Sequence, residues 1–175
     1  MKTLYLVRHC SATGQAATAE LTETGHQQAQ QLATFFEGIE IEHIFSSPFK
    51  RAQHSIIPTA LVKNMTVTLE ERLAERTLST SDYPNWLELL EQTFVDMDLK
   101  LTGGESSREA TARAMDVINE SPTNSILVSH GNLISLVLKH VDDSYGFREW
   151  KTLSNPDVYQ ITLSADGNSF KRMWN

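Results

Sequence analysis

Five side chains of this sequence are of types that do chemistry and stand where a fold can bring them together: Arg8, His9, Arg51, Glu75 and His130. Arginine presents a rigid fork that matches phosphate or carboxylate oxygens two at a time. Two arginines converging on one cleft therefore point to a tetrahedral polyanion, and so to a phosphate ester as substrate. A histidine beside them can attack phosphorus only through an unprotonated ring nitrogen, and positive neighbours favour that state by lowering the imidazole pKa. The same cations stabilise charge on the equatorial oxygens of a transferring phosphoryl group, the main catalytic demand of that reaction. Glu75 fits as proton donor, because a carboxylic acid near an anionic ester retains its proton and can pass it to the leaving alkoxide.

Other chemistries fit the same residues less well. Two histidines and a carboxylate can form an open zinc site. Fixed arginine charges beside a dication are unfavourable, however, and the histidines lack the local H-x-x-x-H or H-x-H spacing. There is no G-x-S-x-G elbow for a serine nucleophile. Cys10 adjoins His9, but strand neighbours point to opposite faces, so the single cysteine is read as structural. His26, His43, His54 and His140 are read as packing or solvated residues.

Two apolar runs position the histidines. Leu4 to Val7 leads into Arg8-His9, and Ile126 to Val128 leads into Ser129-His130-Gly131. Both read as buried strands, and ligands of open α/β sheets bind outside the carboxyl ends of strands. Ser11 to Glu20 reads as a loop, followed by a helix through Phe36 that is capped by Thr22 or Thr24 and stopped at Gly38. Ile41 to Phe45 reads as a strand, and Ser46-Ser47-Pro48 as a turn launching a helix from Phe49, with a kink or restart expected at Pro58. Arg51 then lies in a helical first turn, contrary to the helix dipole unless an anion sits there.

Thr66 to Leu69 is a third short strand, leading to Arg72-Leu73-Ala74-Glu75-Arg76. Trp86, Leu89, Leu90 and Phe94 recur at helical spacing and are expected to form a packing face. Gly103-Gly104-Glu105-Ser106 opens a helix ended by Ser121-Pro122, and Leu133 to Val141 is the helix behind the second histidine. Asp166-Gly167 between Val158–Leu163 and Ser169–Trp174 signals a hairpin, an antiparallel edge on a mostly parallel sheet. The expected fold is α/β, a three-layer αβα sandwich in one domain over residues 1–175. Arg72 and Arg76 flank the acid segment and either extend the anion grip or, the favoured reading, pair with neighbouring glutamates; Lys50 is left open in the same way.

The net charge of −7 and the lack of any Lys/Arg-rich window exclude the electrostatic footprint of a nucleic-acid binder. No stretch approaches the roughly 18 apolar residues of a membrane span. The first apolar run is too short for a secretory signal, so a cytoplasmic location and a monomer or homodimer are expected.

The same segments resemble the histidine phosphatase superfamily, the phosphoglycerate-mutase-like enzymes. Leu6-Val7-Arg8-His9 resembles its signature strand end; Leu21-Thr22-Glu23-Thr24-Gly25 with Gln28-Ala29 resembles the helix opening that follows; Ser46-Ser47-Pro48 with Arg51-Ala52 resembles its second phosphate-binding segment. Leu73-Ala74-Glu75-Arg76 is similar to its acid segment, Gly103-Gly104-Glu105-Ser106 to a recurrent helix start, and Val128-Ser129-His130-Gly131-Asn132 to its second histidine motif. The resemblance implies transient phosphorylation of His9, with Glu75 as acid and then base, and a phosphate pocket of Arg8, Arg51 and His130. It also implies contributions to substrate binding from Gln15, Gly131 and Asn132, and no metal or other cofactor. Cys10-Ser11 replaces the common Gly-Glu or Ala-Glu pair after the histidine, and Thr77-Leu78-Ser79 lacks the glycine often found after the acid segment. The compact length favours a phosphatase over a mutase, and Glu75 favours a small-molecule ester over a phosphohistidine protein. A phosphoglycerate mutase and a non-catalytic phosphate-ester-binding module remain the rival readings.

Overall fold

Residues 1–174 are described by a computed structural model. A six-stranded sheet runs through it in the order β3-β2-β4-β1-β5-β6. The strands are β1 (Lys2–Arg8), β2 (His43–Ser46), β3 (Val67–Leu69), β4 (Ser125–Ser129), β5 (Asp157–Leu163) and β6 (Ser169–Arg172). The four on the β3 side pair in parallel; β5 and β6 run antiparallel and close the other edge, as the Asp166-Gly167 turn implies.

Alternation along the strands builds the three layers. Tyr5 and Val7 of β1, with Ile126 and Val128 of β4, face α1 (Glu23–Phe36) and α2 (Lys50–Val62) through Leu32, Phe36, Ala52 and Ile56. Leu4, Leu6 and Leu127 point the other way, into a core shared with α3 (Trp86–Val95), α4 (Ser107–Glu120) and α5 (Gly131–Val141). A short α6 (Phe147–Trp150) follows. All five residues of β4 are buried, as a central strand covered on both faces requires.

The connections from β1 and β4 diverge. Chain leaving β1 passes over β4 to reach β2, with α1 on one face; chain leaving β4 passes over β1 to reach β5, with α5 on the other. That divergence opens a crevice at the carboxyl ends of two adjacent parallel strands. Arg8 is in register with Ser129, and the His9 amide donates to the Ser129 carbonyl at 3.1 Å, so His9 and His130 leave the sheet side by side.

Several boundaries differ from the sequence expectation. Thr22 is the cap of α1, its hydroxyl accepting from the Gly25 amide. Strand β2 starts at His43 rather than Ile41. Helix α2 neither kinks to a stop nor restarts at Pro58; it continues to Val62. The residues around the proline, Ser55, Ile56, Thr59 and Ala60, are buried, and their tertiary packing outweighs the one amide donor that proline removes. Helix α4 begins with a capping box between Ser106 and Glu109. Of the predicted packing face on α3, Leu90 and Phe94 are buried, but Trp86 is 51% exposed.

Candidate active site

His9 sits just beyond β1 and its ring is held from both sides. Nδ1 lies 2.7 Å from the Cys10 carbonyl oxygen. A carbonyl only accepts, so Nδ1 carries the proton and Nε2 presents its lone pair. Arg51 donates to that lone pair, Nε to Nε2, at 3.2 Å. Burial holds the His9 pKa down at about 4, with Arg51 and Arg8 pushing the same way against the opposing pull of the Cys10 carbonyl. His9 is therefore a neutral imidazole at pH 7.

His130 packs beside it, with ring centroids 5.1 Å apart. Its Nε2 is 2.7 Å from the Ser47 hydroxyl, which also accepts from the Phe49 amide. The other ring nitrogen of His130, Nδ1, is buried and without a partner. Burial, and then His9, Arg51 and Arg8, keep the His130 pKa well below the ordinary histidine range. Phe49 lies edge-on to His130 at 4.8 Å and beneath the Arg51 guanidinium at 5.0 Å.

Arg51 is buried and Arg8 half-buried, and although Glu75 lies near both, neither is in salt-bridge contact with a carboxylate of the described residues. Arg51 is 1% exposed, and its other contacts are the carbonyls of Gln15 and Ala16, at 3.0 and 2.8 Å. Arg8 donates from Nη1 to the carbonyls of Leu153 and Ser154, while its Nε is buried with no partner. Among the described residues neither forms an ion pair. Burying a guanidinium without a carboxylate is unfavourable, and a bound anion would offset that cost. Gly131 makes the arrangement possible, because a Cβ there would meet the Arg8 guanidinium at 3.0 to 3.2 Å.

Glu75 follows the short 3₁₀ turn Glu71–Leu73 and lies against the start of α5. Its carboxylate accepts the amides of Asn132 at 3.0 Å, Leu133 at 2.9 Å and Arg76 at 2.8 Å. Burial raises its pKa above the ordinary glutamate value, although those three amides and Arg8 pull it down. The acid segment is clamped from below: Ser129 Oγ donates to the Leu73 carbonyl, and Arg113 donates to the carbonyls of Arg72 and Ala74 while pairing with Glu105. Glu105 in turn accepts the Thr77 amide. Gly104 leaves room for the Leu78 carbonyl, which a Cβ would strike.

All five residues singled out from the sequence thus meet at one crevice. Arg8, Gln15, Glu75, Gly131 and Asn132 line a cavity of about 430 Å³ there. Gln15 reaches Arg51 through its backbone carbonyl, and the Asn132 amide is engaged by Glu75. Arg72 pairs with Glu70 and Glu120, and Lys50 pairs with Glu20. Arg76 departs from expectation: its hydrogen bonds run to the Glu105 carbonyl and to the Thr93 and Ser107 hydroxyls, not to a carboxylate. It is 5% exposed, and a guanidinium sunk that far takes the nearest fixed acceptors. Cys10 is buried, its side chain away from His9, and burial pushes its thiol up to about 11. The described residues hold no group of three or more metal-ligating side chains.

The sequence reading missed Ser47, Phe49, Arg113 and Asn155, whose side-chain amide donates to the His9 carbonyl at 2.8 Å. Ser47 had a signal, since it occupies a strand-end turn beside Pro48. The others lie in segments where nothing local distinguishes them.

The family signature of the histidine phosphatase superfamily (branch 1) matches residues 4–175. The chain belongs to the histidine phosphatase superfamily. It is an enzyme of the phosphatase and hydrolase class of that superfamily. A "Probable phosphoglycerate mutase" of Shigella dysenteriae is 29% identical over 153 residues, covering 75% of this chain and 70% of the relative. A "Probable phosphatase" of Schizosaccharomyces pombe is 25% identical over 198 residues, covering 98% and 68%. Among solved structures, the mycobacterial glucosyl-3-phosphoglycerate phosphatase with VO3 superposes with a TM-score of 0.75 at 20% identity, covering 100% of this chain and 99% of the other. The phosphoserine phosphatase of Entamoeba histolytica, with phosphoserine, gives 0.75 at 23% identity, covering 97% and 95%. No helix among the described residues is long and apolar enough to cross a membrane.

Proposed function

We propose that the protein hydrolyses small-molecule phosphomonoesters, without a metal, through a phosphohistidine on His9. The observation that carries this reading is the pair of contacts on the His9 ring: Nδ1 bound to the Cys10 carbonyl and Nε2 facing Arg51. A fixed, neutral imidazole with its lone pair on the cation-lined side is what in-line attack on phosphorus needs.

In the first step His9 Nε2 forms a bond to phosphorus as the ester P–O bond breaks. Arg8, Arg51 and His130 hold the three equatorial oxygens, and Glu75 gives its proton to the departing alkoxide. In the second step the Glu75 carboxylate takes a proton from water, the oxygen attacks phosphorus, the N–P bond breaks and inorganic phosphate leaves. Gly131, Asn132 and Gln15 line the substrate space in this scheme.

A second reading, phosphoryl transfer of the phosphoglycerate mutase type, draws on the similarity to the Shigella protein. Hydrolysis of para-nitrophenyl phosphate in excess EDTA, by wild type and His9→Ala, tests the first. Turnover that resists chelation and disappears in the variant is expected. EDTA-sensitive turnover would contradict it, as would a His9→Ala enzyme of full activity; wild-type transfer to 3-phosphoglycerate only with a bisphosphate primer would favour the mutase.

A further inference from the structure

Resting on that phosphomonoesterase reading, we propose that the alcohol released from this site is apolar or aromatic and is seated between Trp86 and Trp150. The cavity that holds Arg8 and Glu75 continues to a wall of Leu78, Trp86, Leu90 and Trp150. Trp150 is fixed, stacked on Phe147 at 5.3 Å with planes 20° apart. Trp86 starts α3, one turn before Leu90, and at 51% exposed is a large aromatic face left open on the cavity side of a helix whose remaining apolar side chains include the buried Leu90 and Phe94. A leaving group lying against these faces would remove apolar surface from water on both partners.

The four wall side chains are themselves uncharged; the cations near them are Arg76, which lines the cavity at 5% exposure, and Arg148 and Lys151, which flank Trp150 in the chain. Arg8 and Arg51 belong to the phosphate end, and Arg76 is committed to the Glu105 carbonyl, Thr93 and Ser107. Lys50 is paired with Glu20.

The test compares alkyl esters, so that leaving-group basicity does not favour the aromatic one: 2-phenylethyl phosphate against 3-phosphoglycerate and O-phosphoserine, with para-nitrophenyl phosphate as a control for the chemistry. We expect kcat/KM for 2-phenylethyl phosphate to exceed the other two by at least about 10-fold. Trp86→Ala should lower it by about 10-fold through KM and lower 3-phosphoglycerate turnover far less, so that the preference between the two esters shrinks. Trp150→Leu, which keeps apolar bulk over Phe147, should give a smaller loss of the same kind. His9-dependent turnover of para-nitrophenyl phosphate with a preference for 3-phosphoglycerate or O-phosphoserine overturns this inference alone. So does a Trp86→Ala variant that loses all substrates equally. No His9-dependent turnover of any ester removes the phosphomonoesterase reading and this one with it.

Discussion

The two ends of the cavity are built in opposite ways. At the phosphate end the reacting side chains are each held by near neighbours: His9 by Cys10 and Arg51, His130 by Ser47, Glu75 by three amides. At the other end the wall is Leu78 from an irregular stretch, Trp86 and Leu90 from the first turns of α3 and Trp150 from a single turn of helix, with Trp86 half in solvent. The first end is rigid because charge stabilisation requires donors already in place when the reaction begins. The second shapes which alcohol is accepted, and apolar contact tolerates looser placement. Chemistry and selectivity therefore sit on different elements and should separate under mutation.

Changes at the phosphate end give the largest effects. His9→Ala should lower kcat by at least about 10⁴-fold on every ester, since the proposed mechanism gives the phosphoryl group no other carrier. Arg51→Ala should cost about 10²- to 10³-fold in kcat/KM, read by steady-state kinetics, with the loss the same for apolar and polar leaving groups. A loss that depended on the alcohol would blur the two ends.

Glu75 stands where they meet. Glu75→Gln should slow alkyl phosphates by about 10²- to 10³-fold more than para-nitrophenyl phosphate, whose leaving group needs little protonation. Equal losses on both classes would take Glu75 out of the proton-donor role.

The pH dependence follows from the same groups. With His9 at about 4, the acid limb of kcat/KM should lie well below 6, and the alkaline limb, set by Glu75, should vanish in Glu75→Gln. Stability carries a related sign. The folded-state pKa of His9 lies below its unfolded value of about 6.5, so the unfolded chain binds the extra proton between those values. Its contribution is complete above pH 6.5 and falls as pH drops toward 4, by about 3 kcal/mol at the acid end. His130 acts in the same direction. Denaturant titrations of wild type and His9→Ala at pH 7 and pH 4.5 should show the difference. The smallest effect belongs to Cys10: a buried thiol near 11 should resist alkylation in the folded enzyme and leave activity unchanged.

What the sequence made legible follows the same division. Apolar runs ending in Arg8-His9 and Ser129-His130 betray the phosphate end, because buried parallel strands leave an unambiguous pattern and their carboxyl ends are where ligands go. Arg51 was readable as a cation in a helical first turn. Arg76 was not, because pairing with nearby glutamates and sinking among carbonyls look alike in one dimension. Trp86 was read as packing from its helical spacing, yet it lies on the edge of that face, and only the position of α3 beside Glu75 reveals the wall it forms. Arg113 and Asn155 act across long sequence separations that no local pattern records.

The most direct test is to quench the enzyme with alkali during turnover and locate covalent phosphate by peptide mass spectrometry. One phosphoryl group on the His9 peptide, absent from His9→Ala and accumulating in Glu75→Gln with an aryl ester, is the expected result. A competent wild-type enzyme that turns over with no phosphorylated peptide, or with the label on another residue, would contradict the His9 mechanism.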